Sequence, residues 1–387
     1  MAKRASDTPV VPYAALAELT SVVKSELMGV FEDVLDSGQY IMGQELEAFE
    51  REFAAYCGSS YAVGIANGTC ALHLVLRGLG LSHRDEVITA PNSFIASASS
   101  IALTGATPVF VDIQPDLNMD PDLIEAAITP RTKAIVPVHL YGSGADMAGL
   151  QRIAERHGLY IVEDCAQASG TRIDDQRAGT FGQVNAFSFY PTKNLGAYGD
   201  GGCVATNDAG LAERLRSVRN YGYQQKDYST ELGLNSRLDA MQAAILSTKL
   251  THLDSWNSRR TEIAQRYTKG LDGSGVDLPR TSDAVENAYH LFPILVSDRD
   301  EFQSKLKEAG VQSIVHYPVP LHLQPALAGL GYEPGEFPNA EWACSHVLSL
   351  PIFPQLRDDE VQQVIDAVNV AAEAHALGEG EAKAGTR

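Results

Sequence analysis

Between Tyr61 and Ala205 the chain repeats one pattern: a short apolar run, a turn, a helical segment, then another apolar run. Runs this short and this uniformly apolar fit strands buried on both faces, and the helices between them supply the cover. The pattern predicts an α/β fold with a mainly parallel, seven-stranded sheet. Its strands are read at 61–66, 86–90, 108–112, 133–139, 159–163, 185–189 and 202–205, with helices at 69–79, 94–103 and 147–157. Another helix should open at Asp120-Pro121, an N-cap followed by a proline at the first helical position.

Two amphipathic helices precede the alternation. The first, over 16–35, places Leu16, Leu19, Val23, Leu27, Val30, Phe31 and Val34 at helical spacing; the second, over 45–56, stops at Gly58. After Arg237 the pattern changes. One long helical stretch reaches Leu271, strands follow at 289–296 and 311–316 around a helix at 300–309, and a last helix covers 358–376. The change predicts an N-terminal arm and large domain over 1–255 and a small α+β domain over 256–376. Residues 377–387 lack apolar anchors and are expected to be disordered.

Charge narrows the function. A net charge of −19 repels phosphate backbones and argues against a nucleic-acid partner. No apolar run follows the basic residues of MAKRASDTPVVPYAAL, and none elsewhere is long enough to span a bilayer, so neither a signal peptide nor a membrane segment is expected. Cys57, Cys70, Cys165, Cys203 and Cys344 are scattered, odd in number and without a CxxC pair. They read as reduced thiols of a cytoplasmic protein, with no metal site.

Open α/β sheets bind ligands beyond the carboxyl ends of their strands. Asn67-Gly68-Thr69 follows the first strand and opens a helix, an arrangement suited to an anion or to plain capping; it is not a GxGxxG turn. Asp164 follows LYIVE: it is a helix cap, a solvated loop residue, or the partner of a bound cation. Ser188, Tyr190 and Lys193 lie in and after FSFYPTKNLG. Lys193 there is either a solvated or phosphate-pairing cation, or an amine made reactive by desolvation. His139, inside a predicted strand, reads as a satisfied core residue, and the role of His322 stays open.

The strings NGTCALHLVL, VEDCAQASG, FSFYPTKNLGAYGDGG, RNYG and NSRLDAMQAAIL together resemble the DegT/StrS-type sugar aminotransferases, from about Pro12 to Ala376. These are fold-type I enzymes that depend on pyridoxal 5'-phosphate, within the aspartate aminotransferase superfamily. The resemblance implies that Lys193 carries the cofactor and moves the proton, while Asp164 partners the pyridinium nitrogen. It implies that Gln167 bonds the ring hydroxyl, that Gly68, Thr69 and Ser188 hold the phosphate, and that Phe94 stacks on the ring rather than packing in the core. Asn235 would reach the phosphate of a neighbouring subunit, making a homodimer with shared active sites; its competing role is a helix cap. A dehydrating branch of the family carries histidine at the position of Lys193, which argues against that branch.

SIVHYPVPLHLQPAL and VLSLPIFPQL resemble the stretch that closes over the sugar. His316, Tyr317 and Tyr190 look like the positioning set of enzymes that aminate C3 of dTDP-linked 3-keto-6-deoxysugars, and Lys226 aligns with a loop residue that contacts the sugar. The competing reading of HYP is a structural loop with a buried His and Tyr. The implied reaction takes an amino group from L-glutamate to a nucleotide-linked ketosugar. Alternatives are C4 amination, against which NSRLD speaks, and a non-catalytic cofactor-binding regulator. For an amino-acid substrate, Arg237 and Arg260 are the candidate carboxylate partners.

Overall fold

The computed structural model describes residues 10–384, with side chains through residue 374. Helices α1 (Leu16–Ser37) and α2 (Gln44–Cys57) come first. Then β1 (Tyr61–Ile65), α3 (Gly68–Gly78), β2 (Glu86–Thr89), α4 (Ile95–Ala102), β3 (Thr107–Phe110), β4 (Thr132–Val136), α5 (Met147–His157), β5 (Tyr160–Asp164), β6 (Val184–Ser188) and β7 (Gly202–Thr206) build the main layer. The seven strands form one sheet in the order β1-β7-β6-β5-β4-β2-β3. Only β7 runs against its neighbours, pairing antiparallel with both β1 and β6. The α/β fold with a mainly parallel seven-stranded sheet is therefore the one the alternation predicts.

Sequence period decides which face each strand residue meets. In β6, Val184 and Ala186 pack with Leu72 and Val75 of α3, while Phe187 packs with Phe49 and Phe53 of α2. Ser188 therefore leaves the strand on the α3 side. In β5, Val162 shares that α3 cluster, and Asp164, two residues on, meets Ser97 of α4. The α2 face is held by aromatic rings: Phe53 meets Phe187 edge-on at 5.0 Å and Phe189 at 5.2 Å. α2 ends at Gly58, whose φ of 82° supplies the left-handed turn a helix stop needs; the amides of Gly58 and Ser59 both bond the Ala54 carbonyl.

After β7, α6 (Ala209–Val218) and α7 (Ala240–Leu250) still pack on the main layer; the C-terminal part then comprises α8 (Leu253–Gly270), β8 (Phe292–Leu295), α9 (Arg299–Glu308), α10 (Pro338–His346), β9 (Val347–Leu350) and α11 (Asp358–Ala384). β8 and β9 pair antiparallel, and α8, α9 and α11 close around them in a cluster containing Tyr267, Leu306 and Val364.

Four local expectations are corrected. The stretch from Arg237 to Leu271 is two helices, parted at Thr251-His252. Residues 311–316 make isolated bridges, Val11 with Val311 and Ile314 with Ser349, instead of a strand, because their partners lie on two different segments. Asp120-Pro121 opens a single 3₁₀ turn and one further helical turn rather than a full helix. The last helix continues to Ala384, into the stretch expected to be disordered, and 385–387 lie outside the described residues, as does the segment 1–9 read for a signal peptide. No described helix is long and apolar enough to cross a membrane.

Phe53 is fully buried between α2 and β6. Phe53→Ala should lower unfolding free energy by about 3–5 kcal/mol, read from urea titration. A loss below about 1 kcal/mol would mean that α2 does not brace the strand that delivers Ser188.

Candidate active site

Parallel pairing sets Asp164 level with Ala186, so the ends of β5 and β6 deliver their polar residues side by side. Asp164 is buried; Oδ2 accepts from the Ser97 hydroxyl at 2.9 Å and Oδ1 from the Ala166 amide at 3.1 Å. Burial raises its pKa, opposed by those two donors and by the charge of Lys193. Its carboxylate has donors for only part of its four acceptor positions, leaving room for a cationic N–H.

Lys193 follows the β6 exit, in a turn where its own amide bonds the Tyr190 carbonyl at 2.8 Å. Burial pulls its ammonium down to about 8, against an opposing pull from Asp164. About a tenth of this amine is therefore unprotonated at neutral pH, far more than in a free lysine, as a nucleophile requires. Its Nζ lies 3.4 Å from Nε2 of His290, a residue the sequence reading did not select.

Gln167 carries a bridge across the site. Its Oε1 accepts from the Tyr141 amide at 2.6 Å, and its Nε2 donates to the Tyr317 hydroxyl at 3.1 Å, with one N–H to spare. The Tyr317 ring stands 5.7 Å from that of Phe94, tilted against it. Phe94 is 51% exposed at the start of α4, so it lines a rim rather than packing in the core.

The opposite side of the site is the start of α3. Asn67 caps only the Cys70 amide, at 2.9 Å. A Cβ on Gly68 would sit 2.7 Å from Cβ of Ser188, so glycine is required for the helix start to approach β6 this closely. The amides there, the Thr69 hydroxyl and Ser188 are grouped at a helix N-terminus, an arrangement that can hold an anion.

His316 and Tyr317 enter from the loop after α9. His316 Nδ1 meets Ser349 Oγ at 3.1 Å, and burial, aided by the charge of Lys193, drops its pKa to about 4. Tyr190 is 55% exposed beyond Ser188. Lys226 is exposed on the hairpin of Tyr223–Gln225 and Tyr228–Ser229, and Asn235 is exposed on the loop before α7. Asn235 makes an isolated bridge with Asn220, and Lys226 lies at the turn of its hairpin. Asn235 is not the helix cap: Asp239 takes that role on the Gln242 amide. Arg260 spends Nη1 on the carbonyls of Tyr289, His290 and Ile352, and Arg237 bonds Asn220.

His139 lies beyond the end of β4 rather than within it, and is a satisfied core residue. Its Nδ1 accepts from the Ala145 amide at 3.1 Å and its Nε2 meets Glu163 at 2.9 Å. Glu163 also accepts from the amides of Gly179, Phe181 and Gly182, each at 2.7 Å. His322 bonds Glu341 at 3.1 Å and packs edge-on against Phe337.

The residues thus suit a flat, phosphorylated, cationic ring: an anion cradle at one end, a buried carboxylate at the other, an aromatic rim and a desolvated amine. The family model described as the DegT/DnrJ/EryC1/StrS aminotransferase family matches residues 22–369. The chain is 50% identical over 375 residues to dTDP-3-amino-3,4,6-trideoxy-alpha-D-glucose transaminase of Streptomyces venezuelae, covering 96% of this chain and 99% of that one. The crystal structure of S. venezuelae DesV in complex with a ketimine intermediate superposes with a TM-score of 0.93 at 51% identity, covering 95% of this chain and 99% of that one. Ntda from Bacillus subtilis, with bound cofactor PMP, gives a TM-score of 0.89 at 33% identity, covering 96% and 87%.

The depressed lysine has a consequence for stability. An unfolded lysine titrates near ~10.4 and Lys193 near about 8, so between those values the unfolded chain binds more protons and native stability rises with pH. Lys193→Met lacks this term. In cofactor-free protein its stability advantage over the native chain should be largest below pH 8 and shrink towards pH ~10, by urea unfolding. An advantage that does not change with pH would mean that Lys193 titrates as an exposed lysine does.

Proposed function

The chain belongs to the DegT/DnrJ/EryC1/StrS aminotransferase family, and from that premise we propose that it uses pyridoxal 5'-phosphate to aminate C3 of a dTDP-linked 3-keto-6-deoxyhexose, with L-glutamate as donor. The observation that carries the reading is the pairing of buried Asp164 with the desolvated amine of Lys193 at the ends of adjacent strands. The C3 and dTDP assignments draw on the Streptomyces venezuelae relative.

When bound, the cofactor supplies an electron sink that spreads the charge left when a proton leaves the amino-bearing carbon. Asp164 keeps the ring nitrogen protonated by accepting its N–H, a charge-assisted bond in a low-dielectric setting. Gln167 offers its spare N–H to the ring hydroxyl, and Phe94 covers one ring face. Gly68 and Thr69, through the start of α3, and Ser188 hold the phosphate. Lys193 would hold the cofactor through its Nζ and, as a free amine, would move the proton there; a pKa of about 8 leaves its donor and acceptor forms both accessible.

Tyr190, Lys226, His316 and Tyr317 hold the sugar, with His316 uncharged above its depressed pKa of about 4. Rigid placement of the ketone selects the carbon, since small displacements cost much of the rate. The nucleotide's remote binding energy sustains that pose. The working unit is a cytoplasmic homodimer, with Asn235 of each subunit serving the phosphate of the other. Exposed apolar side chains on α1, namely Val22, Met28 and Leu35, support a second copy as their cover.

Purified protein should turn over glutamate with a dTDP-3-ketosugar, and Lys193→Ala should abolish this. His316→Ala and Tyr317→Phe should slow the ketosugar half-reaction at least ~10-fold while sparing the glutamate half-reaction, followed by absorbance in single turnovers. Amination of a 4-ketosugar alone would overturn the C3 assignment. A second expectation concerns assembly. Mixing inactive Lys193→Ala with inactive Asn235→Asp chains should restore about a quarter of native activity, because hybrid dimers hold one intact site. No recovery after demonstrated subunit exchange would place Asn235 outside the neighbour's site.

A further inference from the structure

One contact to the reactive amine comes from outside the strand ends. His290 lies just before β8, buried, and its environment fixes which ring nitrogen carries the proton. The Ser169 carbonyl can only accept, so Nδ2 of Asn257 donates to it, at 3.0 Å. Asn257 Oδ1 then accepts from Nδ2 of Asn194 at 2.8 Å, and that same Nδ2 donates to the Ala288 carbonyl at 2.8 Å. With both of its donors committed, Asn194 can offer His290 only its oxygen, 3.2 Å from Nδ1. Nδ1 must therefore carry the proton, and Nε2, 3.4 Å from Lys193 Nζ, is a bare lone pair.

We propose that His290 is a positioning residue for the amine: its bare Nε2 receives an N–H of Lys193, aims Nζ within the site and favours the ammonium form. The proposal rests on Lys193 being the reactive amine. Burial holds the imidazole well below its usual range, and the cations facing it, Lys193 and Arg260, act in the same direction; its third titratable neighbour, His316, is uncharged near neutral pH. His290 therefore stays neutral while Lys193, itself flanked by Asp164, titrates. The relay also spans the fold. Asn257 sits on α8 and His290 at the entry to β8, so the C-terminal elements meet the amine through hydrogen bonds as well as through packing.

The test has two arms. In the full-length protein labelled with ¹⁵N-histidine, His290 should show a protonated Nδ1 and an unprotonated Nε2, and the Nε2 signal should move in Lys193→Met. A protonated Nε2 would overturn the proposal, and this arm stands even if a variant fails to fold. In the second arm, the pH profile of the glutamate half-reaction is compared in the holoenzyme. His290→Phe removes the acceptor, so the ammonium loses support and the acidic limb should move down by roughly one pH unit, a tenfold change in neutral fraction. His290→Gln, whose side-chain oxygen can accept, should return the limb towards its native position. A folded His290→Phe enzyme with a native profile would sink the idea. Full activity in Lys193→Ala would instead remove the reading beneath it, while the NMR arm would still decide the contact.

Discussion

The site depends on one constraint: a buried carboxylate and a largely desolvated amine are held beyond the ends of two adjacent parallel strands. Asp164 is raised by burial and Lys193 lowered by it, and each is moderated by the other. Neither shift would survive in an exposed pair, where solvent screens the interaction. The surrounding fold supplies the desolvation. α2 packs its aromatic rings on one face of β6, α3 covers the other, and α4 lays Ser97 against the carboxylate. The fold and the chemistry are thus connected through dielectric as much as through geometry.

Much of this was legible in the chain because period-two strands have few ways to fail. Once 159–163 and 185–189 are read as buried strands, Asp164 and Ser188 must fall at their ends, and β5 and β6 moved each boundary by only one residue. Gly68 was legible for its position, but not for its reason: the 2.7 Å approach to Ser188 is a tertiary fact with no local signature. The break at Thr251-His252 was hidden because neither residue is a strong helix breaker and apolar spacing continues on both sides. The 311–316 segment misled because a short run rich in β-branched residues looks the same whether its partners lie on one strand or on two segments.

His290 was missed for a related reason. It stands at the start of an apolar run, far in sequence from Lys193, and a histidine there reads as part of a strand. Its signal is relational, since only the sequence of committed donors and acceptors through Asn257 and Asn194 gives the ring a direction. Asn194, next to Lys193 and within the motif that carries the family resemblance, was the local cue. An amide immediately after a reactive amine, itself buried, needs partners for all of its polar atoms. Lys226 and Asn235 lie at the other extreme, with exposed side chains whose proposed ligands belong to a substrate or to another chain.

The strand that runs against its neighbours has a further consequence. β7 fills the gap between β1 and β6, so the two halves of the anion cradle, Gly68 beside β1 and Ser188 on β6, are neighbours only when that later segment is in place. During synthesis, β1 leaves the ribosome long before its pairing partner exists. The cradle must therefore close late, through contacts of high sequence separation whose loop-closure entropy slows folding. Until then both edges of β1 are unpaired, the kind of strand that holdase chaperones and wrong partners compete for. A ligand that bridges Gly68 and Ser188 can only bind after closure, so its binding free energy adds to the native side of that slow step.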